Sequence, residues 1–327
     1  FEFEKAIAEI DEGYSAVATS SGTAAIVASL LAVLKTGDHI LITDSVYGVT
    51  KNLAKGLLNN MGITTTFYKP DIGKEINRLI KKNTKVIFIE SPGSLTFEIQ
   101  NIPMLVEIAK KNKLITIMDN TWATPLFFKP FYNGIDISIQ SATKYIVGHS
   151  DAMLGIITTN KNYTKCVREA AHNMGSCPSP EDIYLGIRGL KTLSIRLQKH
   201  QQSASKVIEW LKTQDVTDTI LYPAIPDNPG YKIWKRDFLG ASGLFGIKLK
   251  NTKKSLVNKM LNNLKLFNMG YSWGGYESLI LPIQPEKLRE TYKWKNNYGT
   301  LRIHVGLEDP DDLINDLKDN INILKGI

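Results

Sequence analysis

From Tyr14 to about Thr159 the chain swings between short β-branched runs and stretches at helical spacing, and few architectures accept that alternation. Candidate strands are Ala16–Thr19, Ile40–Thr43, Thr64–Tyr68, Val86–Glu90, Ile115–Asp119, Ile135–Gln140 and Met153–Thr159. Between several of them lie candidate helices at Thr23–Leu34, Asn52–Asn59, Glu75–Lys82 and Pro103–Lys111. This spacing predicts βαβ units and a largely parallel sheet covered on both faces, an α/β class of fold. Right-handed crossovers then gather the strands' carboxyl ends, and with them a ligand site, along one edge.

Around Glu181 the texture changes. Glu181 to Lys212 lacks proline and repeats Ile183, Ile187, Leu190, Leu193 and Leu197, which predicts one long or kinked helix leaving the sheet. A Pro/Gly-rich loop (Tyr222–Gly230), a strand (Leu244–Leu249), a helix (Lys254–Leu264), a strand (Thr300–Val305) and a helix (Asp311–Leu324) follow. The expected organisation is an α/β domain over 1–190 and a smaller α+β domain over 191–327, with no internal repeat.

Composition removes several function classes. With 327 residues, 43% of them hydrophobic, the chain needs no disulfide or metal staple to build a core. No apolar run reaches the ~18 residues of a membrane span, and Phe1 to Lys5 carries no signal-peptide pattern, so a cytoplasmic protein is expected. The net charge of +8 invites a nucleic-acid reading, but only seven of the 40 basic residues are arginines and the lysines are scattered. A solvated lysine-rich surface is the better reading. Cys166 and Cys177 form no Cys-x-x-Cys pair, and the five histidines show no ligand spacing, so no metal site is expected.

Chemistry concentrates in Ser141-Ala142-Thr143-Lys144-Tyr145-Ile146-Val147-Gly148-His149-Ser150-Asp151. Lys144 falls where an apolar strand gives way to a loop, at the presumed ligand edge. Partial burial there lowers an amine's pKa and frees it to form a Schiff base. The hydroxyls of Ser141 and Thr143 are placed to hold a phosphate nearby. Ser20-Ser21-Gly22-Thr23 opens a candidate helix, whose amides offer a second phosphate contact, although taken alone a plain N-cap is the better explanation. Asp119 ends a buried strand and needs a partner. A helix cap supplies one; a protonated pyridine nitrogen, which makes pyridoxal phosphate (PLP) an electron sink, supplies another. Tyr47 follows a strand and is available to stack on the same ring.

These motifs resemble the Cys/Met-metabolism PLP-dependent enzymes, most closely the bacterial cystathionine β-lyase subgroup. Further matching stretches are Glu90-Ser91-Pro92-Gly93-Ser94-Leu95-Thr96, Met118-Asp119-Asn120-Thr121-Trp122-Ala123, Tyr271-Ser272-Trp273-Gly274-Gly275-Tyr276-Glu277-Ser278 and Leu301-Arg302-Ile303-His304-Val305-Gly306-Leu307-Glu308-Asp309. The resemblance implies the PLP-dependent transferase-like fold (aspartate aminotransferase fold type I). It implies Lys144 as the PLP lysine, Asp119 at the pyridine nitrogen, and Tyr47 on the ring as a second catalytic residue. Gly22, Thr23, Ser141 and Thr143 hold the phosphate on this basis. Arg302 takes the substrate carboxylate, with Ser272 and Trp273 also contacting substrate. An arginine inside the apolar strand Thr300–Val305 independently calls for a bidentate anion.

The implied reaction is β-elimination of L-cystathionine to homocysteine, pyruvate and ammonia, in a homotetramer built as a dimer of dimers. The alternatives are γ-synthase or γ-lyase chemistry, or a PLP-binding remnant with weak or alanine-racemase side activity. Two departures stand out. Gly93-Ser94-Leu95 replaces the Ser-Asn-Pro of many relatives, a mark of the β-lyase subgroup. The family's Tyr-x-Arg, which reaches the neighbouring subunit's PLP phosphate, should lie just upstream of Phe1, so either the chain omits a disordered or cleaved N-terminal segment or the protein has lost that arm.

Overall fold

In a computed structural model that describes residues 1–250, 252–292, 294 and 299–325, the alternation resolves into two sheets. The larger holds β1 (Ser15–Thr19), β2 (His39–Thr43), β3 (Thr64–Tyr68), β4 (Thr84–Glu90), β5 (Ile115–Asp119), β6 (Ile137–Gln140) and β7 (Gly155–Thr159). Their spatial order is β1-β7-β6-β5-β4-β2-β3. Only β7 runs against its neighbours, so the expected, largely parallel sheet is the one that forms.

Both faces of that sheet are covered, which explains the uninterrupted apolar runs. Ile40, Ile42, Val86, Phe88, Ile117 and Ile137 pack on one side against Ala25, Ile26 and Leu30 of the helix Gly22–Val33. Leu41, Ile87, Ile89 and Met118 point the other way, onto Leu105 and Ala109 of the helix Ile102–Lys111. Side chains alternate along a strand, so burial on both faces demands an apolar residue at every position.

The smaller unit is an antiparallel sheet of β8 (Thr217–Leu221), β9 (Leu244–Leu249), β10 (Leu279–Pro282) and β11 (Thr300–His304), in the order β10-β11-β9-β8. The helices Lys254–Asn263 and Pro310–Ile321 accompany it, and Phe245, Ile247 and Ile303 join the core that also contains Ile87 and Met118.

Three expected helices differ. Glu75–Lys82 is instead a 3-10 helix over Gly73–Leu79, because Ile76 alone is buried there and one anchor gives no apolar stripe. Asn52–Asn59 starts earlier, as an α-helix over Gly48–Leu53 that widens into a π turn over Ala54–Leu58. The long helix is two, Pro180–Leu190 and Leu193–Lys212. The break lies where Gly189 presses onto the loop after Lys144; a Cβ there would sit 2.1 Å from the Ile146 carbonyl oxygen. Arg196 staples the junction, donating to the carbonyls of Gly189 (2.8 Å) and Tyr145 (2.7 Å). The helices Glu2–Asp11 and Thr164–Asn173, with β8 and β10, were not anticipated. Among the described residues, no helix is long and apolar enough to cross a membrane.

Candidate active site

A cavity of about 780 Å³ opens at the carboxyl edge of the large sheet, within the range of small-molecule sites. Glu90 ends β4, Asp119 ends β5, and Lys144 lies in the loop after β6. The smaller unit closes the far side with Arg302 of β11 and the 271–273 loop.

Lys144 Nζ donates to Ser272 Oγ at 2.7 Å and lies 5.4 Å from the Trp273 ring centre. Burial, followed by the positive charge of Arg302, lowers its pKa from 10.5 to about 8. The 272–274 turn comes close enough to require glycine: Gly274 has φ 86°, and a Cβ there would lie 3.0 Å from Lys144 Cα. The Gly274 amide donates to His304 Nε2 at 3.1 Å, tying that turn to β11.

Asp119 Oδ1 accepts from the Thr121 amide (3.0 Å) and hydroxyl (2.5 Å). Burial raises the Asp119 pKa, and the two Thr121 bonds oppose it. Thr121 Oγ1 also accepts from the Ser141 amide at 2.9 Å, so one hydroxyl links the ends of β5 and β6. Arg302 Nη2 donates to the carbonyls of Gly270 (3.2 Å), Tyr271 (2.8 Å) and Ser272 (3.3 Å). It has no carboxylate partner among the described residues, and burial lowers its pKa to about 10. Tyr47, 46% exposed, stands at the N-cap position of Gly48–Leu53, and its amide donates to Glu90 Oε2 at 2.7 Å.

Gly22 begins its helix against the Lys144 loop; a Cβ there would lie 2.6 Å from Ser141 Cβ. Ser21 Oγ caps the Ala24 amide (3.1 Å), so the N-cap and anion readings are compatible. Helix geometry leaves the Gly22 and Thr23 amides without intrahelical acceptors, facing the cavity they line. Thr143 lines the same wall, but its hydroxyl donates to the Leu154 carbonyl (3.1 Å) and accepts from the Leu154 amide (2.9 Å). Its proton is already spent, whereas the hydroxyls of Thr23 and Ser141 line the cavity without such an acceptor among the described residues.

All ten sequence-derived positions therefore line this one cavity. An amine, a carboxylate, an uncompensated guanidinium and a glycine-tightened helix N-terminus together suit a phosphorylated pyridine aldehyde, so the residues fit PLP. Sequence reasoning assigned no role to Thr121, Glu90 or His304. The usable signals were Thr121 two residues after a strand-end aspartate, the Asx-turn spacing, and Glu90 ending the neighbouring strand.

The sequence profile for "Cys/Met metabolism PLP-dependent enzyme" matches residues 1–322. A cystathionine β-lyase from Escherichia coli is 42% identical over 324 residues, covering 97% of this chain and 82% of that protein. An L-alanine/L-glutamate racemase from Wolbachia pipientis is 41% identical over 315 residues, 95% of this chain and 77% of that protein. The crystal structure of a cystathionine γ-lyase from Lactobacillus plantarum complexed with L-serine superposes with a TM-score of 0.92. It shares 29% identity and covers 99% of this chain and 85% of that one.

Proposed function

The chain belongs to the Cys/Met metabolism PLP-dependent enzymes, and from that membership we propose that it cleaves L-cystathionine by β-elimination. The observation that carries this reading is Lys144, a cavity-lining amine whose pKa falls to about 8, sharing its cavity with Asp119 and Arg302. When bound, PLP supplies the electron sink that makes a Cα proton removable.

The remaining work falls to the chain's own groups. Lys144 Nζ would hold the cofactor and would serve as the general base for the Cα proton. Asp119, through the oxygen not engaged by Thr121, holds the proton on the pyridine nitrogen. Tyr47 covers the ring, and Gly22, Thr23 and Ser141 grip the phosphate. Arg302 fixes the substrate carboxylate, and Ser272 takes a hydrogen bond from Lys144 while Trp273 walls the substrate side. The Cβ–S bond breaks, homocysteine leaves with a proton, and water completes pyruvate and ammonia.

Product analysis on L-cystathionine tests this reading. Homocysteine with pyruvate is expected, whereas cysteine with 2-oxobutyrate would make the enzyme a γ-lyase. The relationship to the Wolbachia racemase favours a second, slower activity, reprotonation of the same Cα on its other face. Purified protein should then form D-alanine from L-alanine at a rate abolished by Lys144→Ala. The proposal extends to a homotetramer acting in the cytoplasm, supported by the family resemblance and by the two free cysteines, Cys166 and Cys177.

A further inference from the structure

The proposed reaction uses one of the two carboxyls at the end of the central strands and leaves the other without a task. Glu90 and Asp119 are register partners on parallel β4 and β5, so their side chains leave the sheet on the same face, and both line the cavity. Asp119 receives two donors on one oxygen, from the Thr121 amide and hydroxyl. Glu90 receives one, from the Tyr47 amide. Where two carboxyls share a site, ionising one disfavours ionising the other, and the charge settles on the one with more donors.

We propose that Glu90 carries the proton of this pair. As a neutral carboxylic acid it is a positioning residue: it anchors Tyr47 through that residue's backbone amide and leaves Asp119 the anion that meets the cofactor's ring nitrogen. The groups facing Glu90 agree. Burial, and then the charge of Asp119, push its pKa well above the usual carboxylate range, against the Tyr47 amide and Arg289. Arg289 is occupied elsewhere, donating to the carbonyls of Asp44 (2.6 Å) and Ser94 (3.1 Å) and lying 3.4 Å from Glu98. Lys144 and Arg302 line the same cavity, where Ser272 and the 270–272 carbonyls engage them. Burial and the charge of Asp119 thus act in the same direction, toward the protonated form of Glu90, and outweigh its single donor.

The cofactor contacts in this proposal rest on the function proposed above; the proton on Glu90 does not. The first test is infrared difference spectroscopy on cofactor-free protein at pH 7, wild type minus Glu90→Gln. The expected difference is a protonated-carboxyl C=O stretch present in the wild type and absent from the variant; no such band overturns the proposal. The second is the PLP dissociation constant, by spectral titration. Glu90→Gln keeps an oxygen acceptor for the Tyr47 amide and no charge, so its affinity stays within about threefold of wild type, whereas Glu90→Ala orphans that amide and weakens binding about tenfold. Equal losses in both variants would show that Glu90 works as an anion, and an unchanged Glu90→Ala would remove its positioning role. Circular dichroism shows whether the alanine variant is folded, and the glutamine variant decides the proton if it is not. A protein that cleaved no cystathionine would still give the infrared result.

Discussion

The depressed pKa of Lys144 has consequences that cofactor-free protein displays directly. At pH 8 about half of an amine with a pKa of about 8 is unprotonated, against about 0.3% for an ordinary lysine at 10.5. That is roughly a 150-fold gain in nucleophile. The assay is reductive methylation across a pH series, with incorporation at Lys144 and at exposed Lys165 read by peptide mass spectrometry. Lys144 incorporation should rise to a midpoint near pH 8. Arg302→Gln removes the neighbouring cation and should move the Lys144 midpoint upward, by less than half of the whole depression because burial is the larger cause. Stability responds too. The unfolded chain keeps this proton up to about pH 10.5 and the folded chain gives it up above about 8, so this group makes stability rise with pH between those values. A Lys144 that tracks Lys165 at every pH would refute the reasoning.

Gly22→Ala would place a methyl 2.6 Å from Ser141 Cβ, and relieving an overlap of that kind costs about 1–3 kcal/mol, so spectral titration should show PLP affinity reduced about tenfold or more. Asp44 takes the Lys51 ammonium, together with the Thr291 amide and hydroxyl at 2.8 Å each. Burial pushes the Asp44 pKa up, but these partners outweigh it and hold it below 3.8, so its stabilisation is complete above that value and is lost as pH falls through the lower folded one. Asp44→Asn leaves the buried Lys51 ammonium with the Leu288 carbonyl and Glu290 at 3.8 Å, and should lower stability at pH 7 by about 1–3 kcal/mol, with a flatter acid limb in thermal melts.

The central strands were legible because burial on both faces imposes unbroken apolar runs, as in Ile115–Asp119 and Thr64–Tyr68, which formed with the expected limits. Lys144, Asp119 and Arg302 stood out for a related reason: each is a charge at or in an apolar strand, where something must compensate it. Elements held from one side left weaker traces. β8 exposes Asp218 and Thr219, and the helix Glu2–Asp11 stops at Glu12 in the left-handed region (φ 60°), with no glycine to announce it. Contacts across the site were illegible on principle. Ser272 lies 128 residues from Lys144, and the two roles of the Thr121 hydroxyl depend on the register between β5 and β6.

Arg302 rests on three carbonyl oxygens and no carboxylate among the described residues. Carbonyl dipoles soften a guanidinium's charge without cancelling it, so the resting pocket holds an excess positive charge in poorly hydrated surroundings. Its behaviour therefore depends on the medium. Acetate, citrate and other small carboxylates become competitors by charge alone, and apparent Michaelis constants should rise in such buffers relative to an uncharged or zwitterionic one. Polyamines and basic peptides, repelled by the same charge, should have no such effect.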